Sequence, residues 1–94
     1  MADQAAERRE VFYSGMVQGI GFRYTVRMLA SPLALTGFVR NLPDGRVQLV
    51  AEGSKDQVQG LLDAVEAEMG RYIRDVKVNS RPTTGEFSDF EIRF

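Results

Sequence analysis

The apolar positions of this 94-residue chain change period several times, and each change marks a new element. Glu10–Met16 holds Val11, Phe12 and Tyr13, a continuous β-favouring run that suits a strand inside a sheet. From Phe22 the period lengthens. Phe22, Val26, Leu29 and Leu33 recur at helical spacing and leave Arg27 on the outer face. Pro32 interrupts that pattern and pushes Ser31 away from helical angles, so the helix is predicted to bend or stop near Ala30. A short extra turn capped by Ser31, with Pro32 at its first position, would account for the pair. Gly37–Asn41 reads as a second strand, and Leu42-Pro43-Asp44-Gly45 as the turn after it. Arg46–Glu52 is the returning arm of a hairpin, with Val47, Leu49 and Ala51 on one face, and Gly53 ends it.

Ser54 with Gln57 three residues on forms a capping box for a second helix. Its apolar stripe is Val58, Leu61, Leu62, Val65 and Met69. Gly60 inside it costs about 1 kcal/mol relative to alanine, and Gly70 is the expected stop. Tyr72–Val78 is a further strand, Arg81–Gly85 a turn-rich loop, and Phe90, Ile92 and Phe94 alternate as a last strand. Residues 1–9 are polar and are expected to form a frayed arm, leaving 10–94 as one domain. The order is β-α-β-β-α-β plus a C-terminal strand. That is an α+β chain of the ferredoxin-like, split βαβ type, with two helices on one face of a largely antiparallel sheet. In such a sheet the first strand is central, so the loop leaving it opens at the middle of one end. The hairpin turn beginning near Asn41 can reach the same end.

Composition narrows the chemistry. Hydrophobic residues make up 44% of the chain, enough for a single core. No apolar run is long enough to span a bilayer, and the N-terminus MADQAAERRE lacks the apolar segment of a signal peptide, so a cytoplasmic protein is expected. The chain has neither cysteine nor histidine. Disulfides, thiolate nucleophiles, the commonest general base and the commonest metal ligands are therefore excluded. A net charge of −1 argues against nucleic-acid binding, which relies on a basic footprint.

One stretch carries chemistry of its own: Gly15-Met16-Val17-Gln18-Gly19-Ile20-Gly21-Phe22-Arg23. Glycine tolerates positive φ, so a loop this rich in it can fold back and point successive N–H groups at one place. Such a concavity binds anions, above all phosphate, and a helix start adds partial positive charge. Arg23 opens that helix with a planar fork able to grip two phosphoryl oxygens. The plain alternative is an ordinary glycine-rich connection followed by a solvated arginine. Two familiar phosphate loops do not fit. A P-loop begun at Gly15 would need glycine, lysine and a hydroxyl residue at Ile20, Gly21 and Phe22. A dinucleotide fingerprint begun at Gly19 would need a small residue at Tyr24.

The same nine residues resemble the acylphosphatase signature: a glycine, a variable residue, Val-Gln-Gly, an aliphatic, a variable residue and Phe-Arg. Gly37-Phe38-Val39-Arg40-Asn41, with Gly45-Arg46-Val47 and Gly53, resembles the second signature of that family. The resemblance covers the chain from about Glu10 to Phe94. It implies hydrolysis of carboxylic–phosphoric anhydrides, with no metal or cofactor. It also implies that Arg23 binds the phosphoryl group together with backbone N–H groups of the loop from Gly15 to Phe22, and that Asn41 holds the attacking water. The chain departs from the family pattern at Ala34, where a glycine is usual, and at Phe38, often tryptophan.

Read from the residues alone, several of these positions have a structural account. Asn41 precedes a turn, where asparagine is common for local backbone reasons. Arg40 and Arg46 read as solvated strand ends, and Phe22 and Phe38 as core. Gln18 either lines the loop or braces its backbone. The partners expected are a small acyl phosphate and an anion in the loop, with no nucleic acid, no membrane and a monomeric chain. The main rival is a non-catalytic or carbamoyl-phosphate-specialised domain of the same fold, of the kind found in hydrogenase-maturation carbamoyltransferases. A single-stranded RNA binder is a further rival, suggested by Thr36-Gly37-Phe38-Val39 and opposed by the acidic balance.

Overall fold

The computed structural model describes residues 5–94. Its elements are β1 (Ala6–Gly15), α1 (Phe22–Ala30), β2 (Thr36–Asn41), β3 (Val47–Ser54), α2 (Lys55–Met69), β4 (Ile73–Arg81) and β5 (Phe90–Arg93). The strands form one sheet in the order β4-β1-β3-β2-β5. Every neighbouring pair is antiparallel except β2 and β5, which run parallel. This is the ferredoxin-like arrangement expected, with β1 in the interior of the sheet. Val11, Tyr13, Val39, Val47, Leu49 and Ala51 project from one sheet face and join the stripes of both helices in a single core. Period two in the strands and 3.6 in the helices meet there.

Four local expectations need correction. The arm over residues 1–9 is not an arm from Ala6 onward; residues 1–4 lie outside the described part. Ala6 to Tyr13 pair with β3, and Arg8 to Gly15 pair with β4. The charges that suggested fraying are matched: Arg9 Nε lies 2.6 Å from Glu7 and Arg8 Nη1 3.2 Å from Glu52. Ser31 keeps helical angles, φ −54° and ψ −44°. The helix still stops at Ala30, as expected, and a turn closed by the Leu33 N–H on the Ala30 carbonyl at 2.9 Å follows it. The capping box is half formed. Ser54 Oγ accepts from the Gln57 N–H at 3.2 Å, but the Gln57 side chain instead accepts the N–H of Ala34 at 3.2 Å. Gly70 stops α2 without a left-handed turn; at φ −54° it passes into a 3₁₀ turn over Gly70–Tyr72.

The sheet face opposite the helices is also covered. Alternation puts Gln48, Val50 and Glu52 there, yet all three are buried. The segment 82–89 crosses this face and is fastened on Glu52. That carboxylate accepts from the Thr84 N–H at 3.0 Å, the Thr84 hydroxyl at 2.9 Å, the Gly85 N–H at 3.1 Å and Arg8 at 3.2 Å. Phe87 packs edge-on against Phe38, with ring centroids 5.8 Å apart. Arg93 stacks over Phe38 at 4.1 Å and Arg8 over Phe87 at 5.3 Å.

Candidate active site

Three glycines shape the segment between β1 and α1. Gly15 ends β1 at a bulge, where the pairing with β4 shifts. Its φ is +128°, and a Cβ there would stand 2.5 Å from the Tyr72 carbonyl oxygen and 2.7 Å from the Arg74 nitrogen. Only glycine fits so close an approach. Gly19 and Gly21 also take positive φ, 80° and 82°. Gly21 is the N-cap of α1; no side chain caps the helix there and no acidic residue occupies its first turn. The first-turn N–H groups and their partial positive charge therefore have no partner from the helix itself.

Beside that helix start lies a cavity of about 90 Å³, lined by Val17, Gly19, Gly21, Phe22, Arg23, Tyr24 and Asn41. One water needs about 10–15 Å³, so the space holds a group of several atoms. Arg23 from α1 and Asn41 from the end of β2 are brought to this one cavity. Arg23 Nη1 reaches the Arg93 carbonyl at 3.4 Å, and its guanidinium stacks on the Phe94 ring at 4.9 Å. Among the described residues no carboxylate pairs with it.

The rest of the loop has other places. Val17 and Phe22 are buried, and the Phe22 ring packs on Tyr13 with centroids 5.2 Å apart. Burial, with the charge of Glu66, pushes the Tyr13 phenol up, so it stays neutral beneath the loop. The Met16 N–H donates to the Tyr72 carbonyl at 2.9 Å and continues the sheet, which takes it out of the set facing an anion. The side chains of Met16 and Ile20 are exposed. Gln18 braces rather than lines: its Nε2 donates to the carbonyls of Leu42 and Arg46, both at 2.9 Å. Those carbonyls belong to the turn after Asn41, which the Leu42 N–H closes on Arg46 O at 2.8 Å. Gln18 thus clamps the glycine loop to the hairpin that presents Asn41.

Arg40 and Arg46 do not line the cavity. Arg40 donates to Gln48 at 2.7 Å, and Arg46 pairs with Asp44 at 2.9 Å and stacks over Phe12 at 4.6 Å. Tyr24 does line it, a residue that the sequence pattern marked only as too large for a dinucleotide loop. Its position right after Arg23, on a helix whose next turn is already placed, was the available clue. Among the described residues no group of three His, Cys, Asp or Glu could hold a metal ion, and no helix is long and apolar enough to cross a membrane.

The family model for acylphosphatase matches residues 9–92. The chain belongs to the acylphosphatase family. A relative from Acaryochloris marina, named acylphosphatase, is 45% identical over 80 residues, covering 84% of this chain and 85% of that protein. The crystal structure of acylphosphatase from Bacillus subtilis superposes with a TM-score of 0.84 at 31% identity, over 94% of this chain and 99% of that one. An acylphosphatase from Coxiella burnetii gives 0.83 at 33% identity, over 99% of this chain and 100% of its own. The residues that resemble the acylphosphatase signature form the glycine loop and helix start just described, and those that resemble the second signature form the hairpin that Gln18 clamps.

Proposed function

We propose that this chain hydrolyses acyl phosphates to a carboxylate and inorganic phosphate, with no metal or cofactor. The observation that carries the reading is the meeting of Arg23 and Asn41 on one small cavity beside an uncapped helix start. In this reading Arg23 and the N–H groups of the loop, Met16 aside, hold the phosphoryl oxygens. Asn41 holds a water in line with the bond to be broken. As the water oxygen bonds to phosphorus, the bond from phosphorus to the acyl oxygen breaks, and its electron pair leaves with the carboxylate. That leaving group has a conjugate acid of pKa about 4, so it needs no general acid. The absence of histidine is no handicap. A loose phosphoryl transition state asks for positioning and for charge stabilisation on the equatorial oxygens, which Asn41 and Arg23 supply. Asn41 is no base, so the water's proton passes to an oxygen of the substrate's own phosphate.

The test is hydrolysis of benzoyl phosphate in EDTA by wild type, Arg23→Ala and Asn41→Ala, with folding checked by circular dichroism. Wild type retains its activity in EDTA. Arg23→Ala loses about 10²–10³-fold in kcat/KM, the cost of removing one donor aimed at developing charge. Asn41→Ala loses about 10²-fold, as expected for a misplaced reactant. Unchanged turnover in a folded Arg23→Ala protein overturns the reading. Phosphate binding without turnover by wild type would favour the non-catalytic or carbamoyl-phosphate-specialised alternative.

A further inference from the structure

The cavity at Arg23 is not isolated. Tyr24, which lines it, also lines a second cavity of about 280 Å³ together with Arg27, Phe90, Ile92 and Phe94. This second space is the seam between α1 and the edge strand β5. Tyr24 and Arg27 stand one helical turn apart on α1. Phe90, Ile92 and Phe94 alternate along the other side, with Phe90 and Ile92 in register with Gly37 and Val39 of β2. The exposed apolar surface gathers at the same end of the molecule. Seven large apolar side chains are exposed among the described residues, and Met16, Ile20, Tyr24 and Phe94 lie on the glycine loop or beside Arg23. Tyr24 is 58% and Phe94 90% exposed. Aromatic rings left open beside a charged cradle are ready to take up apolar surface.

We infer that the seam between α1 and β5 receives the acyl group of the substrate, and that Tyr24 selects apolar, aromatic acyl phosphates over small aliphatic ones. The inference rests on the acyl-phosphate reading above. With the phosphoryl group on Arg23 and the water on Asn41, in-line displacement directs the acyl oxygen away from Asn41. Tyr24 joins the cradle to the seam. The charges lining the seam do not favour an acyl group with a second carboxylate. Arg27 is opposed by Asp89 and Glu91, and Glu91 is itself paired with Arg93 at 2.8 Å. A neutral ring lying against Tyr24 and Phe94 suits these surroundings better than an anion does.

The experiment compares kcat/KM for benzoyl phosphate and acetyl phosphate in wild type, Tyr24→Ser, Tyr24→Phe and Val78→Ser. Taking the benzoyl-to-acetyl ratio for each protein, and comparing it between proteins, cancels the intrinsic reactivity of the two anhydrides. Tyr24→Ser lowers the ratio by roughly three- to tenfold, the size of one aromatic contact. Tyr24→Phe keeps the ring and keeps the ratio. Val78→Ser, an exposed apolar side chain on β4 at the opposite edge of the sheet, leaves it unchanged. An unchanged ratio in Tyr24→Ser, with both substrates still hydrolysed, overturns the inference and leaves the acyl-phosphate reading standing. Failure of wild type to hydrolyse either substrate removes that reading and this inference with it.

Discussion

Gln18 commits both amide protons to the turn after Asn41, so one side chain sets the spacing between the anion loop and the proposed water site. The partner carbonyls lie 24 and 28 residues away along the chain, which is why the sequence left lining and bracing as equal readings. That Arg23 and Asn41 line one cavity was legible only through the family resemblance, since the residues alone gave Asn41 a local backbone account. The clamp predicts a defect of placement. Gln18→Ala removes two hydrogen bonds and costs about 1–3 kcal/mol of stability. Its effect on turnover is larger than that loss suggests, about 10–100-fold in kcat/KM, since a shift near 1 Å in a reacting group costs on that order. Urea unfolding and steady-state kinetics on one preparation check both halves. A protein destabilised as stated but fully active would show that the loop and hairpin keep their spacing without the clamp.

At the scale of elements, the strands and helices were readable because period, caps and turns are local. The cover over the second sheet face was not. Residues 82–89 carry turn chemistry and no periodicity, and Glu52 looked like the polar half of an alternating strand. Its burial depends on donors more than 30 residues away in sequence, as does the order of Arg8, which local polarity assigned to a frayed arm. Burial pushes the Glu52 carboxyl up, but the N–H groups of Thr84 and Gly85, the Thr84 hydroxyl and Arg8 outweigh it and hold the pKa below its ordinary value. A folded-state pKa below the unfolded one gives stability that is present above the unfolded value and lost as pH falls through the folded one. Glu52→Gln is therefore less stable than wild type at pH 7, by about 1–3 kcal/mol. The gap narrows as pH falls below the ordinary glutamate value of about 4.3 and the wild-type carboxyl protonates. Urea midpoints at pH 7 and pH 3 measure it. An equal gap at both values would mean that the charge on Glu52 contributes nothing to holding the segment.

For the molecule as a whole, the missing residue types decide what pH can do. Without histidine or cysteine, no side chain of ordinary pKa changes charge between pH 5 and 8. The Glu52 carboxyl is held below its ordinary value and stays ionised in that window, so this clasp does not loosen underneath the chemistry. A titration of kcat/KM that comes from the substrate follows the second proton of its phosphate, which leaves below the value of about 6 seen in phosphorylated side chains because the acyl group withdraws electrons. If a phosphate oxygen of the substrate takes the proton from water, its dianion is the better base. The rate then rises as pH passes upward through that ionisation and levels off by pH 8. Profiles with two acyl phosphates of different phosphate pKa separate the possibilities, because a substrate-borne limb moves with the substrate while a protein-borne limb stays in place. A flat profile across the ionisation, or a limb at the same pH for both, would assign the proton elsewhere. Arg23 and Asn41 would then still position the reactants, and a base not yet identified would have to be found near Asn41.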